Sequence, residues 1–174
     1  MKKNIILVGF MGTGKSSVGF RLAQRLNMEF CDTDRQIVAA AGMDLITLYH
    51  KHGKIRFQSE EDLALNRFLK KENCVISTGG TLQFYEERLQ KMRQSGLIVC
   101  LKAEPETIQR RVMRKNNRPF LRKGYVMEDI CLLHQEQKCW ETAADLVIDT
   151  TDKSFEQILQ KIIKKWEQEL HGIL

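Results

Sequence analysis

Residues 9 to 16 read Gly9-Phe10-Met11-Gly12-Thr13-Gly14-Lys15-Ser16, the spacing G-x-x-x-x-G-K-[ST], and that segment leaves the chain little freedom of fold. The glycines let the backbone curl so that successive N–H groups point inward at a phosphate, and a helix that follows adds the positive end of its dipole. Such a loop functions only between a buried strand and a helix. Both are predicted here: Asn4 to Val8 is a short apolar run, and Val18, Leu22 and Leu26 repeat at helical spacing behind it. Lys15 is placed to reach the β- and γ-phosphates and the Ser16 hydroxyl to ligate magnesium, while Gly12, Thr13, Gly14 and Ser17 complete a nucleotide cradle. A plain glycine turn has no use for Lys and Ser at its end.

Four more short runs rich in Ile, Val or Cys follow, at Glu29 to Cys31, Cys74 to Ser77, Leu97 to Leu101 and Leu146 to Ile148. Amphipathic stretches alternate with them, the last being Ile158, Leu159, Ile162, Ile163 and Trp166. Strand alternating with helix predicts an α/β protein with a five-stranded parallel sheet covered on both faces. At 174 residues, with 43% hydrophobic and 29% charged residues and no internal repeat, residues 1–174 are expected to form one soluble domain. No apolar run spans a bilayer and the first residues lack the features of a signal peptide, so the expected location is cytoplasmic. The five cysteines include no C-x-x-C pair and are read as reduced, mostly core residues, so neither a disulfide framework nor a zinc site is expected. A net charge of +6 favours anionic small molecules and is spread too evenly for a nucleic-acid partner.

Three further segments carry chemistry. Cys31-Asp32-Thr33-Asp34 sets two carboxylates just past the end of the second strand, where open α/β sheets bind ligands. Asp32 is then placed for the magnesium shell and Asp34 for a second substrate's hydroxyl; either one alone also reads as a helix N-cap. Ser77-Thr78-Gly79-Gly80-Thr81 ends the third strand, and its paired glycines permit close approach of backbone to substrate, or else start a helix. Residues 115 to 124, KNNRPFLRKG, are either a solvated turn or a lid that brings positive charge to phosphates. Between the second and third strands, residues 34 to 69 form helical patterns broken near Gly42 and Gly53, a segment expected to build over the sheet edge.

Together, GFMGTGKSSVG, FCDTD, LYHKHGKIRFQSEE, STGG, NRPFL and ADLVIDT resemble the shikimate kinases over nearly the whole chain. The resemblance implies a three-layer P-loop kinase fold with a helical substrate-binding segment at about 34–69 and a lid at about 115–125. It implies ATP with magnesium as donor and the 3-hydroxyl of shikimate as acceptor, in aromatic amino acid biosynthesis. By position, Asp34 would be the base and, with Gly79 and Gly80, contact the substrate; Tyr49 and Phe57 would wall the pocket. Arg118 would close on the transferred phosphoryl group, and Arg111 would lie near the adenine. A monomer is the family default.

The chain departs from the family pattern at three places. Gln58 stands where an arginine normally pairs with the substrate carboxylate, with Arg56 two residues earlier; Glu136 stands where a second such arginine is expected; Thr81 replaces the last glycine of a usual triplet. Glu61, which braces the missing arginine in the family, is retained. One charge-assisted bond of roughly 1.5–3 kcal/mol is worth one to two orders of magnitude in binding. The expected function is therefore an ATP-dependent small-molecule kinase acting on shikimate, the alternative being a relative that phosphorylates a different small hydroxyl compound.

Overall fold

The computed structural model describes residues 3–113, 135 and 138–171. Five parallel strands, β1 (Asn4–Val8), β2 (Glu29–Asp32), β3 (Cys74–Ser77), β4 (Gly96–Lys102) and β5 (Leu146–Asp149), lie in the order β2-β3-β1-β4-β5. The strands are short, all but β2 carry β-branched residues, and β1 and β3 are buried along their whole length, as expected where helices cover both sheet faces. Each apolar run read from the sequence is one of these strands, with bounds within a residue.

On one face pack α1 (Lys15–Leu26) and the C-terminal helix α7 (Phe155–His171). Val18, Leu22, Ile158, Ile162 and Trp166 meet Ile5, Leu7, Val75 and Val99 there in one core. The 3.6-residue spacing of these side chains makes the apolar stripe that seats each helix. Gly19 allows α1 to sit low on the sheet, since a Cβ at this position would stand 2.8 Å from the Phe30 ring.

The opposite face carries α3 (Leu45–Leu69), α4 (Glu86–Ser95) and a short helix α6 (Lys138–Ala143), through Leu65, Phe68, Leu89, Met92 and Trp140. The helix α5 (Pro105–Met113) packs Ile108 and Val112 on Phe10 and Met11 of the glycine loop. Between β2 and α3 stands α2 (Thr33–Ala41), which Gly42 ends in a left-handed conformation. Asp44 then caps α3 by accepting from the Thr47 N–H at 2.9 Å, and the helix is interrupted at Gly53, whose φ of 77° is non-helical. Both predicted breaks therefore fall where the glycines stand.

Trp140 is completely buried, donates its indole N–H to the Leu82 carbonyl at 3.1 Å and meets Phe84 edge-on. It pins α6 over the segment that leaves β3. Trp140→Phe should lower unfolding free energy by about 2–3 kcal/mol, from a smaller ring and an orphaned carbonyl, in urea titration with an unchanged slope. A change below about 0.5 kcal/mol would show that the anchor is dispensable.

Candidate active site

Leu7, Ser77 and Asp32 sit side by side in the register of β1, β3 and β2, so the segments that leave these strands emerge together at one sheet edge. Gly9 takes a φ of 126°, and a Cβ there would lie 2.1 Å from the Leu101 carbonyl oxygen. Only glycine lets the chain turn off β1 this close to β4. Gly14, also left-handed, caps α1, whose first-turn N–H groups face the loop. Lys15, the first residue of α1, is buried and donates from Nζ to the carbonyls of Gly9 at 2.6 Å and Phe10 at 2.9 Å. Its ammonium group is thereby folded back across the loop's mouth.

A cavity of about 450 Å³ opens above this loop, within the range of small-molecule sites. Gly12, Thr13, Gly14, Lys15, Ser16 and Ser17 all line it. Asp34 and Gly80 stand on its β2–β3 side; Arg111, Thr150, Lys153 and Phe155 stand on its β4–β5 side. Arg111 donates to the Gly12 carbonyl at 3.3 Å and to the Thr150 carbonyl at 2.8 Å, while the buried Thr150 hydroxyl donates to the Thr13 carbonyl at 3.0 Å. Thr150, Lys153, Phe155 and Ile158 were not singled out as site residues from sequence. The signal for Thr150 was its place at the end of the last strand; the others belong to a loop and helix that read simply as an amphipathic C-terminus.

Asp32 proves to be the N-cap of α2, its Oδ1 accepting from the N–H groups of Asp34 at 3.1 Å and Arg35 at 3.2 Å. Of the two readings open for Asp32, capping is displayed directly, and it leaves Oδ2 outside those bonds. The cap aims the first turn of α2 so that Asp34 lines the cavity. Ser16 Oγ lies 3.4 Å from Ser77 Oγ, and Ser77 is the register partner of Asp32. Two hydroxyls and a carboxylate are all hard oxygen donors, which suits magnesium.

The glycine segment does not start a helix, since α4 begins only at Glu86. A Cβ on Gly80 would lie 2.7 Å from the Met11 nitrogen, and one on Gly79 2.8 Å from Glu61 Oε1 and 2.9 Å from Asp34 Oδ1. The glycines thus let two carboxylates and the phosphate loop close around the end of β3. The Gly79 N–H donates to the Thr33 hydroxyl at 2.9 Å, so it is directed at the protein and not at a substrate.

In the helical segment that follows β2, Phe57 is buried with Ile37, Leu48 and Ala64, and Tyr49 meets it edge-on at 6.0 Å. Gln58 is half-buried, whereas Arg56 is mostly exposed and ion-paired to Glu60 at 2.5 Å. Arg118, Glu136 and the basic segment at 115–124 lie outside the described residues. Glu61 is 2% exposed and accepts from the Thr81 hydroxyl at 3.3 Å, so the residue that replaces the usual glycine bonds the carboxyl behind it. Burial, reinforced by the neighbouring Asp34 charge and opposed by Arg88, raises the Glu61 pKa to about 7. Arg88 is itself tied to Asp62 at 2.5 Å and to the Gln83 carbonyl.

The family model described as shikimate kinase matches residues 11–167. A shikimate kinase of Pelotomaculum thermopropionicum is 43% identical over 161 residues, 92% of this chain and 94% of that protein. Among solved structures, shikimate kinase from Acinetobacter baumannii in complex with shikimate superposes with a TM-score of 0.87 at 29% identity, covering 94% of this chain and 92% of that one. Shikimate kinase from Aquifex aeolicus gives 0.82 at 31% identity, covering 97% and 99%.

A carboxyl protonated in the fold and ionised in the unfolded chain makes stability pH-dependent. Below pH 4.5 Glu61 is neutral in both states; as pH rises from 4.5 to about 7 the folded state alone keeps the proton, and stability falls. Glu61→Gln should remove that loss, so the stability difference between variant and parent should grow across this window to on the order of 3 kcal/mol. A difference independent of pH in denaturant titrations would contradict the buried acid.

Proposed function

The chain belongs to the shikimate kinase family, and from that premise we propose that it transfers the γ-phosphoryl group of ATP to the 3-hydroxyl of shikimate. One observation carries the reading: a single cavity joins Lys15 and Ser16 of the phosphate loop to Asp34 and Gly80 on the neighbouring strand ends. That arrangement holds a donor and an acceptor in contact, and positioning supplies much of the acceleration in phosphoryl transfer.

In this reading the inward N–H groups of residues 12–17 hold the donor's phosphates. Lys15 exchanges its two carbonyl partners for phosphate oxygens and offsets charge on the γ-phosphoryl group. Arg111, fixed by Gly12 and Thr150, forms with Lys153 and Phe155 the wall for the base and ribose. Asp34 orients the acceptor hydroxyl and takes its proton as the oxygen–phosphorus bond forms. Ser16 and Asp32 would hold magnesium, which supplies charge neutralisation at the phosphates. Tyr49, Phe57, Gln58 and Gly79 shape the acceptor's surroundings, and Arg118, Glu136 and Arg56 are the charged groups assigned to its approach. The same reading makes the protein a monomeric cytoplasmic enzyme of aromatic amino acid biosynthesis.

Gln58 favours a second reading, an acceptor with no carboxylate. A glutamine offers a neutral hydrogen bond where a bidentate charge pair would otherwise form, and the structure turns Arg56 to Glu60 instead. ADP release from magnesium-ATP, followed across a wide range of shikimate concentrations, separates the two. Saturable dependence on shikimate, abolished in Lys15→Ala and lost in Asp34→Asn with ATP binding intact, is the expected outcome. No stimulation in protein that binds ATP would transfer the reading to uncharged alcohols, and normal turnover in Asp34→Asn would remove the assigned base.

A further inference from the structure

Outside the lining of the nucleotide cavity, β2 and the start of β3 bring together three side chains that the kinase reaction does not use. The ligand atoms of Glu29, Cys31 and Cys74 all lie within 4.8 Å of one another. We propose that these residues form a site for one thiophilic divalent cation of the zinc and cadmium type, with two thiolates and one carboxylate as ligands.

Register explains why the cluster exists and what it is not. Glu29 pairs with Cys74, and Cys31 lies two residues along the same strand, on the same sheet face as Glu29. With a rise of about 3.3 Å per residue and strands about 4.8 Å apart, the two cysteine Cα atoms are about 8 Å apart. A disulfide needs them within about 7 Å. A cation does not: with metal–sulfur bonds of about 2.3 Å, tetrahedral ligation asks for sulfurs about 3.8 Å apart, and the sheet brings the ligand atoms within 1 Å or so of that spacing.

The site is also held in place. The Cys74 backbone N–H donates to Asn4 Oδ1 at 2.9 Å, and buried Asn4 is fixed in turn by the Lys71 carbonyl and the Ser95 hydroxyl. Both thiols face the Glu29 carboxylate, Cys74 Sγ donating to Oε2 at 3.9 Å, while Lys71 holds Oε1 at 2.5 Å. Both cysteines are buried and Glu29 is exposed, so an ion would enter along Glu29 and end against sulfur. As the two metal–sulfur bonds form, the two thiol protons leave to solvent. Burial in an apolar face disfavours an unpaired thiolate, so the ion must bind sulfur strongly; magnesium and calcium, which prefer oxygen, are excluded. Bound metal would clamp edge strand β2 to β3 and so stabilise the strand that ends in Asp32.

The test uses the reduced, full-length protein and cadmium as the probe, read by thiolate-to-metal absorption in the ultraviolet and by thermal melting. One cadmium per chain, with a raised melting temperature, is expected. Cys74→Ala should abolish both signals, and Glu29→Gln, an exposed change that keeps the fold, should weaken binding by about tenfold or more. Lys71→Ala should tighten binding, because it releases Glu29 from its competing partner. Absence of stoichiometric uptake, an unchanged thiolate signal in Cys74→Ala, or an affinity unmoved in both Glu29→Gln and Lys71→Ala would overturn the site.

Discussion

Parallel pairing puts Leu7, Ser77 and Asp32 in one row, and the catalytic edge of the protein is built outward from that row. A parallel strand must end at the same edge as its neighbours, so the glycine loop, the acidic turn and the glycine pair emerge within reach of each other although they are far apart in sequence. The row also orders the chemistry. The glycine loop follows the central strand β1; Asp34 and Gly80 line the cavity from β2 and β3 on one side; the wall opposite comes from β4 and β5.

Close approach is the second constraint. Gly80 lets the segment after β3 press on Met11, and Gly79 makes room for Glu61 and Asp34. Two carboxylates in a dry corner repel, and burial together with the Asp34 charge lifts the Glu61 pKa to about 7, against the opposing pull of Arg88, so the corner loses stability as pH rises toward neutrality. In the family pattern an arginine at the position of Gln58 would meet Glu61. Here Thr81 supplies the hydroxyl that bonds it.

Most of the fold was legible because buried parallel strands are short, apolar and separated by helices of clear period. The phosphate loop was equally legible, since its chemistry fixes both residue types and spacing. Other features depend on pairings that sequence order conceals. Asp32 reads as a ligand or as a helix N-cap, and the cap becomes visible only with the helix it starts; the Gly79 N–H reads as a substrate contact until Thr33 is found beneath it. Lys153 and Phe155 become part of the site only when α7 is folded across the sheet. The cysteines at 31 and 74 lack metal-binding spacing along the chain, and strand register alone makes them neighbours.

Lys15 and Asp34 line one cavity, and the proposed function requires that cavity to join ATP to a hydroxyl of shikimate. Phosphorus and proton magnetic resonance of the product formed from ATP and shikimate tests it most directly. The account predicts a single phosphate ester whose phosphorus couples to the proton on carbon 3 of the ring. Inorganic phosphate as the sole product, or an ester on another hydroxyl, would contradict it.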